Sequence, residues 1–155
     1  MQKIEGSTGI FSKAEVKFLI SERVARLATI NIADESPHLV PVCFAFDGKT
    51  IVTTLQAKCK RLKNMRQRSK VAILVDKYVE EKGKWKVLCG LLIYGDAKIL
   101  TFSKNREEFM YCWKLLIRKY PQYKQWANAD LMPKDSDKRR IMKIEPTETI
   151  RWGFE

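Results

Sequence analysis

Six or so antiparallel strands joined by hairpins, with a few peripheral helices, are what this sequence predicts: a mainly β, α+β or small-barrel fold. Three observations carry this. Alternating apolar residues recur in short runs, as in "HLVPVCFAF" at 38–46, and a period of two belongs to strands. Turn-forming clusters separate the runs, "ADESP" at 33–37 and "DGK" at 47–49, where Gly, Pro and Asp let the chain reverse. Strands and helices do not alternate regularly, and neither GxGxxG nor GxxxxGK[ST] occurs, which argues against a Rossmann domain or a P-loop.

The elements follow in order. Ser12-Lys13-Ala14-Glu15 is a capping box, with Phe11 and Val16 as its hydrophobic staple. The helix it opens carries Val16, Leu19 and Ile20 on one face. "VARLATINI" at 24–32 is β-branched and predicts a strand. In the next strand, 38–46, His38, Val40, Val42, Phe44 and Phe46 share a face, and Pro41 marks an edge or a bulge. "TIVTTL" at 50–55 returns from the hairpin. Leu62 and Met65 are spaced for a short helix over 59–68 with a cationic outer face. "VAILVDKYV" at 71–79 predicts a buried strand, and "EEKGK" a turn. The run from Trp85 to Phe102 predicts one long bent strand or two, with Gly90 and Gly95 marking bends or close backbone approach. Ser103 is placed to cap a helix bearing Phe109, Cys112, Trp113, Leu116 and Tyr120, which Pro121 ends. "RRIMKIEP" at 139–146 and "TIRWGF" at 149–154 predict the final strands. No repeat or linker divides the chain, so one domain over 1–155 is expected.

Charge narrows the function. With 45% hydrophobic and 31% charged residues the chain is globular, and its formal net charge of +12 favours an anionic partner: nucleic acid, a membrane surface or a phosphorylated small molecule. The longest apolar run, Val87 to Tyr94, is far short of the roughly 20 residues of a membrane span. The start, "MQKIEGSTGIFSKAEV", has no secretory hydrophobic region, and a cytoplasmic location is expected. Four dispersed cysteines (Cys43, Cys59, Cys89, Cys112) without a CxxC pair suit free thiols. With one histidine, His38, the composition argues against structural zinc. On its strand His38 is expected to be a hydrogen-bonded surface group.

The cations are concentrated. Lys58, Lys60, Arg61, Lys63, Arg66, Arg68 and Lys70 fall within thirteen residues, directly before an apolar strand. Upstream, Thr53 and Thr54 end a strand, so the junction passes from strand end to helix start. Free backbone N–H groups and the helix dipole favour an anion there. Hydroxyls of Thr53 and Thr54 and the cations Lys58, Lys60 and Arg61 are expected to surround a phosphate monoester. The competing reading, a solvated cationic helix face, stays open on the charge run alone. A nucleic-acid-binding barrel is the rival class. Against it, the charge gathers at one turn and helix, and no exposed aromatic platform is identifiable.

The ordered set "RLATI", "PHLVPV", the "DG" hairpin, "TIVTT", "RLKN", "KVAILVD" and "YGDAKIL" resembles the flavin-binding split-barrel proteins related to pyridoxamine 5'-phosphate oxidase, over about residues 20 to 102. It looks closest to the subgroup using FMN or the deazaflavin coenzyme F-420. The resemblance implies an antiparallel split β-barrel. It implies that Val40, Pro41 and Val42 run beside the isoalloxazine ring, that Thr53 and Thr54 touch the ribityl phosphate, and that Lys58, Lys60 and Arg61 hold it, with Lys63 and Asn64 extending the set. It also places Trp152 near the flavin. Trp85, Trp113 and Trp126 are equally compatible with core or interface packing. Departures from the oxidase pattern argue against vitamin B6 oxidation. "IRWGFE" lacks its Arg-x-His pair, no basic residue stands at Val42 or Cys43, and Cys89-Gly90 replaces an Arg-Gln pair. The expectation is a flavin-dependent oxidoreductase acting on another small molecule; a non-catalytic flavin or haem binder on the same barrel is the alternative. A homodimer with the cofactor at its interface is expected too. The Trp85–Tyr94 run and the Phe109/Trp113/Tyr120 helix face exceed what one small barrel needs to bury, and the resemblance implies the same arrangement.

Overall fold

The computed structural model describes residues 10–80 and 87–154. Trp85 and most of the "EEKGK" turn lie outside them. One seven-stranded antiparallel sheet, with a few helices packed against it, forms the split barrel. The elements are α1 (Lys13–Ser21), β1 (Ala25–Ile30), β2 (Pro37–Val42), β3 (Ala45–Phe46), β4 (Ile51–Gln56), α2 (Lys60–Gln67), β5 (Lys70–Val79), β6 (Val87–Thr101), α3 (Arg106–Lys119), a 3-10 segment (Pro121–Trp126) and β7 (Arg139–Trp152). The strand order is β2-β1-β5-β6-β7-β4-β3. No helix among the described residues is long and apolar enough to cross a membrane.

The capping box forms as expected: Ser12 Oγ accepts from Glu15 N–H at 3.2 Å, and Glu15 Oε1 accepts from Ser12 N–H at 3.0 Å. Phe11 is buried edge-on against Phe46. The helix turns Leu19 into the core with Val16 and Phe18 against it, but Ile20 points outward, 58% exposed.

The single strand expected over 38–46 is two. β2 and β3 lie at opposite edges of the sheet, so the chain must leave the ladder between them. Phe44, fully buried at the crossing, donates its N–H to the Tyr120 hydroxyl at 3.0 Å, and the one proton of that hydroxyl is shared between the carbonyls of Phe44 at 2.9 Å and Arg23 at 2.8 Å. That contact replaces ladder hydrogen bonds that an unpaired buried peptide would otherwise lose. Pro41 sits on an edge strand, where a missing N–H is tolerated.

The two expected C-terminal strands are one. The register shifts between Tyr94, facing Glu148, and Gly95, facing Pro146. Thr147 is the extra residue of a bulge, and its hydroxyl donates to Tyr94 C=O at 3.2 Å. Gly95 is needed at that bend: a Cβ there would lie 2.5 Å from the Glu145 carbonyl oxygen. The long apolar run is likewise one strand, β6. Helix α3 starts later than Ser103 suggests, because Asn105 takes the N-cap position and its Oδ1 accepts from Thr101 N–H instead of capping.

Two cores result. Inside the barrel, Leu27, Phe44, Ile51, Ile73, Leu91, Ile93 and Ile144 pack together. On the other side of β3, β4 and β7, α3 buries Phe109, Cys112, Trp113 and Leu116. The apolar face of α3 is thus satisfied within one chain and is no surplus. The surplus lies on the outer face of β2, β1, β5, β6 and β7, where cross-strand pairing aligns Leu39, Ala28, Ala72, Tyr94, Leu74, Leu92 and Ile150. Leu39 is 65% exposed there.

Candidate functional site

The basic segment folds as the sequence suggests. Cys59 occupies the N-cap of α2 but makes no side-chain capping bond, and the first turn holds no acidic residue. Its N–H groups and the positive end of its dipole therefore lack a side-chain counterpart. Leu62 and Met65 anchor the inner face in the barrel core. A third anchor is polar. Asn64, 1% exposed, donates to Thr29 Oγ1 at 3.1 Å and Asn31 Oδ1 at 3.4 Å, and accepts from Ile32 N–H at 3.4 Å. These bonds tie α2 to the outgoing end of β1.

A cavity of about 370 Å³ opens at this junction, lined by Lys58, Lys60, Lys63 and Asn64 from one side and Asn31, Ile32 and Ala33 from the other. Three ammonium groups around one pocket can meet an anion's oxygens from several directions. Asp34 stands close by. Hydrogen bonds from the Ser36 hydroxyl and backbone hold its carboxyl below the usual carboxylate range, with Lys60 adding a smaller pull.

The structure brings together Lys58, Lys60, Lys63 and Asn64. The other expected residues lie elsewhere. Thr53 is buried and its hydroxyl donates to Cys43 C=O at 2.7 Å; Thr54 donates to Arg140 C=O at 3.0 Å. Each hydroxyl has one proton, and both are engaged within the chain. Arg61 is half-exposed and does not line the cavity. Val40, Pro41 and Val42 lie on edge strand β2, which among the described residues pairs only with β1. Alternate backbone N–H and C=O groups of such a strand face away from the ladder, apart from the N–H that Pro41 lacks. Trp152, 42% exposed, stands over Gly90 on the outer sheet face.

Other singled-out residues are structural. Trp113 is fully buried and donates to Leu131 C=O at 2.8 Å. Trp126 packs edge-on against Tyr123. His38 is half-buried instead of lying on the surface, facing Thr29 across the β1–β2 ladder, and its Nδ1 is enclosed without a hydrogen-bond partner among the described residues. Residues 31–33 were not singled out from sequence. Their signal is the "ADESP" turn, whose Asp34–Ser36 hydrogen bonds fix the far wall of the cavity.

The pyridoxamine 5'-phosphate oxidase family matches residues 11–153. No curated protein matches the sequence. Among solved structures, a conserved hypothetical protein from Mycobacterium tuberculosis is 23% identical, with a TM-score of 0.69 over 98% of this chain and 89% of that one. An F420 reductase is 20% identical, with a TM-score of 0.61 over 86% and 94%. The haem storage protein HutZ from Vibrio cholerae is 13% identical, with a TM-score of 0.69 over 89% and 92%. At these identities the likenesses show the shared fold.

Proposed function

The chain belongs to the pyridoxamine 5'-phosphate oxidase family, and from that premise we propose that it is an oxidoreductase that binds FMN or the deazaflavin coenzyme F-420. The observation that carries the reading is the cavity at the start of α2, where Lys58, Lys60 and Lys63 meet uncapped helix N–H groups. That donor set suits a phosphate, which both cofactors carry. Haem has no comparable support. Its axial ligand is usually an imidazole, a thiolate, a thioether sulfur or a phenolate, and none of the described residues lining the cavity at α2 carries one.

In this reading the chain's part is binding and placement. Lys58, Lys60 and Lys63 neutralise the phosphate, and Asn64 holds α2 so that its N–H groups stay aimed. The open edge of β2 around Val40–Val42 offers backbone groups to the polar rim of the ring. When bound, the flavin supplies the hydride or electron transfer. The substrate is a small molecule other than a B6 vitamer, in keeping with Cys89-Gly90 in place of an Arg-Gln pair.

We propose a homodimer as well, formed by the outer sheet face. Leu39, Tyr94, Ile150 and Trp152 are exposed on it beside the Arg26–Asp76 ion pair (2.7 Å). A second copy would remove these groups from water and cover the ring's open side. Leu39→Lys is expected to shift sedimentation toward monomer and weaken flavin binding at low protein concentration. A wild-type monomer binding flavin one-to-one with undiminished affinity would overturn the dimer.

The cofactor reading is tested by spectral titration. Lys60→Ala removes a charge-assisted contact of about 1.5–3 kcal/mol, which corresponds to roughly 10- to 150-fold in Kd. Arg61→Ala should change Kd far less. Equal losses at Lys60, Arg61, Arg66 and Arg68 would indicate a diffuse polyanion surface. No saturable spectral change with either FMN or F-420 would refute the assignment.

A further inference from the structure

A second cavity, of about 420 Å³, lies where the C-terminal ends of α1 and α3 converge on β3. Its polar wall is Arg23, Arg118 and Lys119, and its apolar wall includes Ile20, Phe46 and Leu115. None of the described residues lining it is acidic. It is separate from the phosphate cavity. Arg23 precedes β1 and Asn31 follows it, and a six-residue strand spans about 20 Å at ~3.3 Å per residue.

Two of the cations already serve the helix ends. Lys119 Nζ donates to Leu19 C=O at 3.1 Å, and Arg23 donates to Lys119 C=O. A C-terminal helix end carries roughly half a negative charge, so two ends offset about one of the three positive charges. Glu22, the carboxylate next in sequence, pairs with Lys77 at 4.0 Å and also acts on the Lys119 ammonium. Arg118 makes no hydrogen bond or ion pair among the described residues. The cations therefore remain in excess by about one to two charges, and most of the N–H donors are unused. Lys119 is held in place, its ammonium 3.8 Å from the centre of the Phe44 ring. Burial first, and then Arg23, pulls its pKa down to about 8, a strain that a nearby anion would relieve. The outward Ile20 acquires a reason on the same account, since it forms part of the apolar wall.

We propose that this cavity binds a small organic anion with an apolar body, its charged group against Arg118 and Lys119 and its body against Ile20 and Leu115. A volume of this size falls within the range of small-molecule sites. The inference does not depend on the flavin reading.

Calorimetric titration of the purified protein with naphthalene-2-carboxylate, and separately with the neutral 2-naphthamide, tests it. Saturable one-site binding of the carboxylate is expected, with the amide at least about tenfold weaker, because the charged group supplies the stronger contacts. Arg118 is exposed and unpaired, so Arg118→Ala should fold normally and weaken the carboxylate by about tenfold. Ile20→Asp should abolish binding, while Lys60→Ala should leave it unchanged. Equal affinity for acid and amide, no binding of either, or loss with Lys60→Ala but not with Arg118→Ala would each overturn the proposal.

Discussion

Asn64→Ala is expected to loosen the helix that carries the phosphate site. The wild-type amide makes one bond of ordinary length, to Thr29 at 3.1 Å, and two long ones, to Asn31 and Ile32, at 3.4 Å. A neutral hydrogen bond contributes about 1 kcal/mol net, and the long pair together no more than that. The vacated space adds about 0.5–1 kcal/mol by comparison with larger core truncations. The loss is then about 1.5–3 kcal/mol, or about 3–12 °C in Tm for a protein of this size. Urea unfolding measures it, with an unchanged m-value showing that the unfolded state is the same. A double-mutant cycle with Thr29→Val isolates the shared bond, with about 0.5–1.5 kcal/mol of coupling expected. If Asn64→Ala costs under about 0.5 kcal/mol, or the cycle shows no coupling, the amide is not what holds α2 to β1. FMN affinity should fall with stability in the same variant, since the N–H groups of α2 lose their support.

Other outcomes follow from single positions. Gly95→Ala should destabilise by about 1–3 kcal/mol through overpacking, read as a lower urea midpoint; a neutral effect would mean that the bulge against Glu145 and Ile144 yields easily. Burial raises the Cys112 thiol from 9.0 to about 11. In the native protein it should therefore resist alkylation at pH 8 while Cys59 and Cys89 react, and stability should fall between about pH 9 and 11 as the unfolded thiol ionises first. Lys119 has the opposite sign. Its pKa falls from 10.5 to about 8, so the unfolded chain binds the extra proton between those values and this group's contribution to stability rises with pH across that window. Lys119→Met should remove that rise from the pH–stability curve, and an unchanged curve would refute the assignment.

The strands were legible wherever an apolar period coincided with one buried face. In β5, Val71, Ile73 and Val75 point inward, and the equally apolar Ala72 and Leu74 between them already signalled a second face needing cover. The capping box of α1 and the buried stripe of α3 were legible for the same reason: local spacing sets them. The break between β2 and β3 was not, because "HLVPVCFAF" alternates without interruption. It depends on a hydroxyl from Tyr120, far along the chain. At the site, the lysines could be read from charge density. Asn64 reads in sequence as an extension of the ligand set, yet its buried bonds to β1 are tertiary and leave no mark there. Nor does the convergence of two helix ends on Arg23 and Lys119.

The place of β7 in the sheet carries a cost in time. β4 is bound on one side by the two-residue β3 and on the other only by β7, with Ile51 facing Ile144 and Gln56 facing Arg139. At a synthesis rate of about 5–20 residues per second, β4 waits roughly 4–18 s for its partner to be made. Through that interval an apolar strand edge, Ile51-Val52-Thr53-Thr54-Leu55, has no neighbour on one side, and the nascent chain is open to association with other chains. Contacts so distant in sequence also slow refolding of the finished protein. Cells making it at high rate should therefore depend on chaperones that shield an unpaired β edge, and a slow phase in refolding should report the docking of residues 139–144.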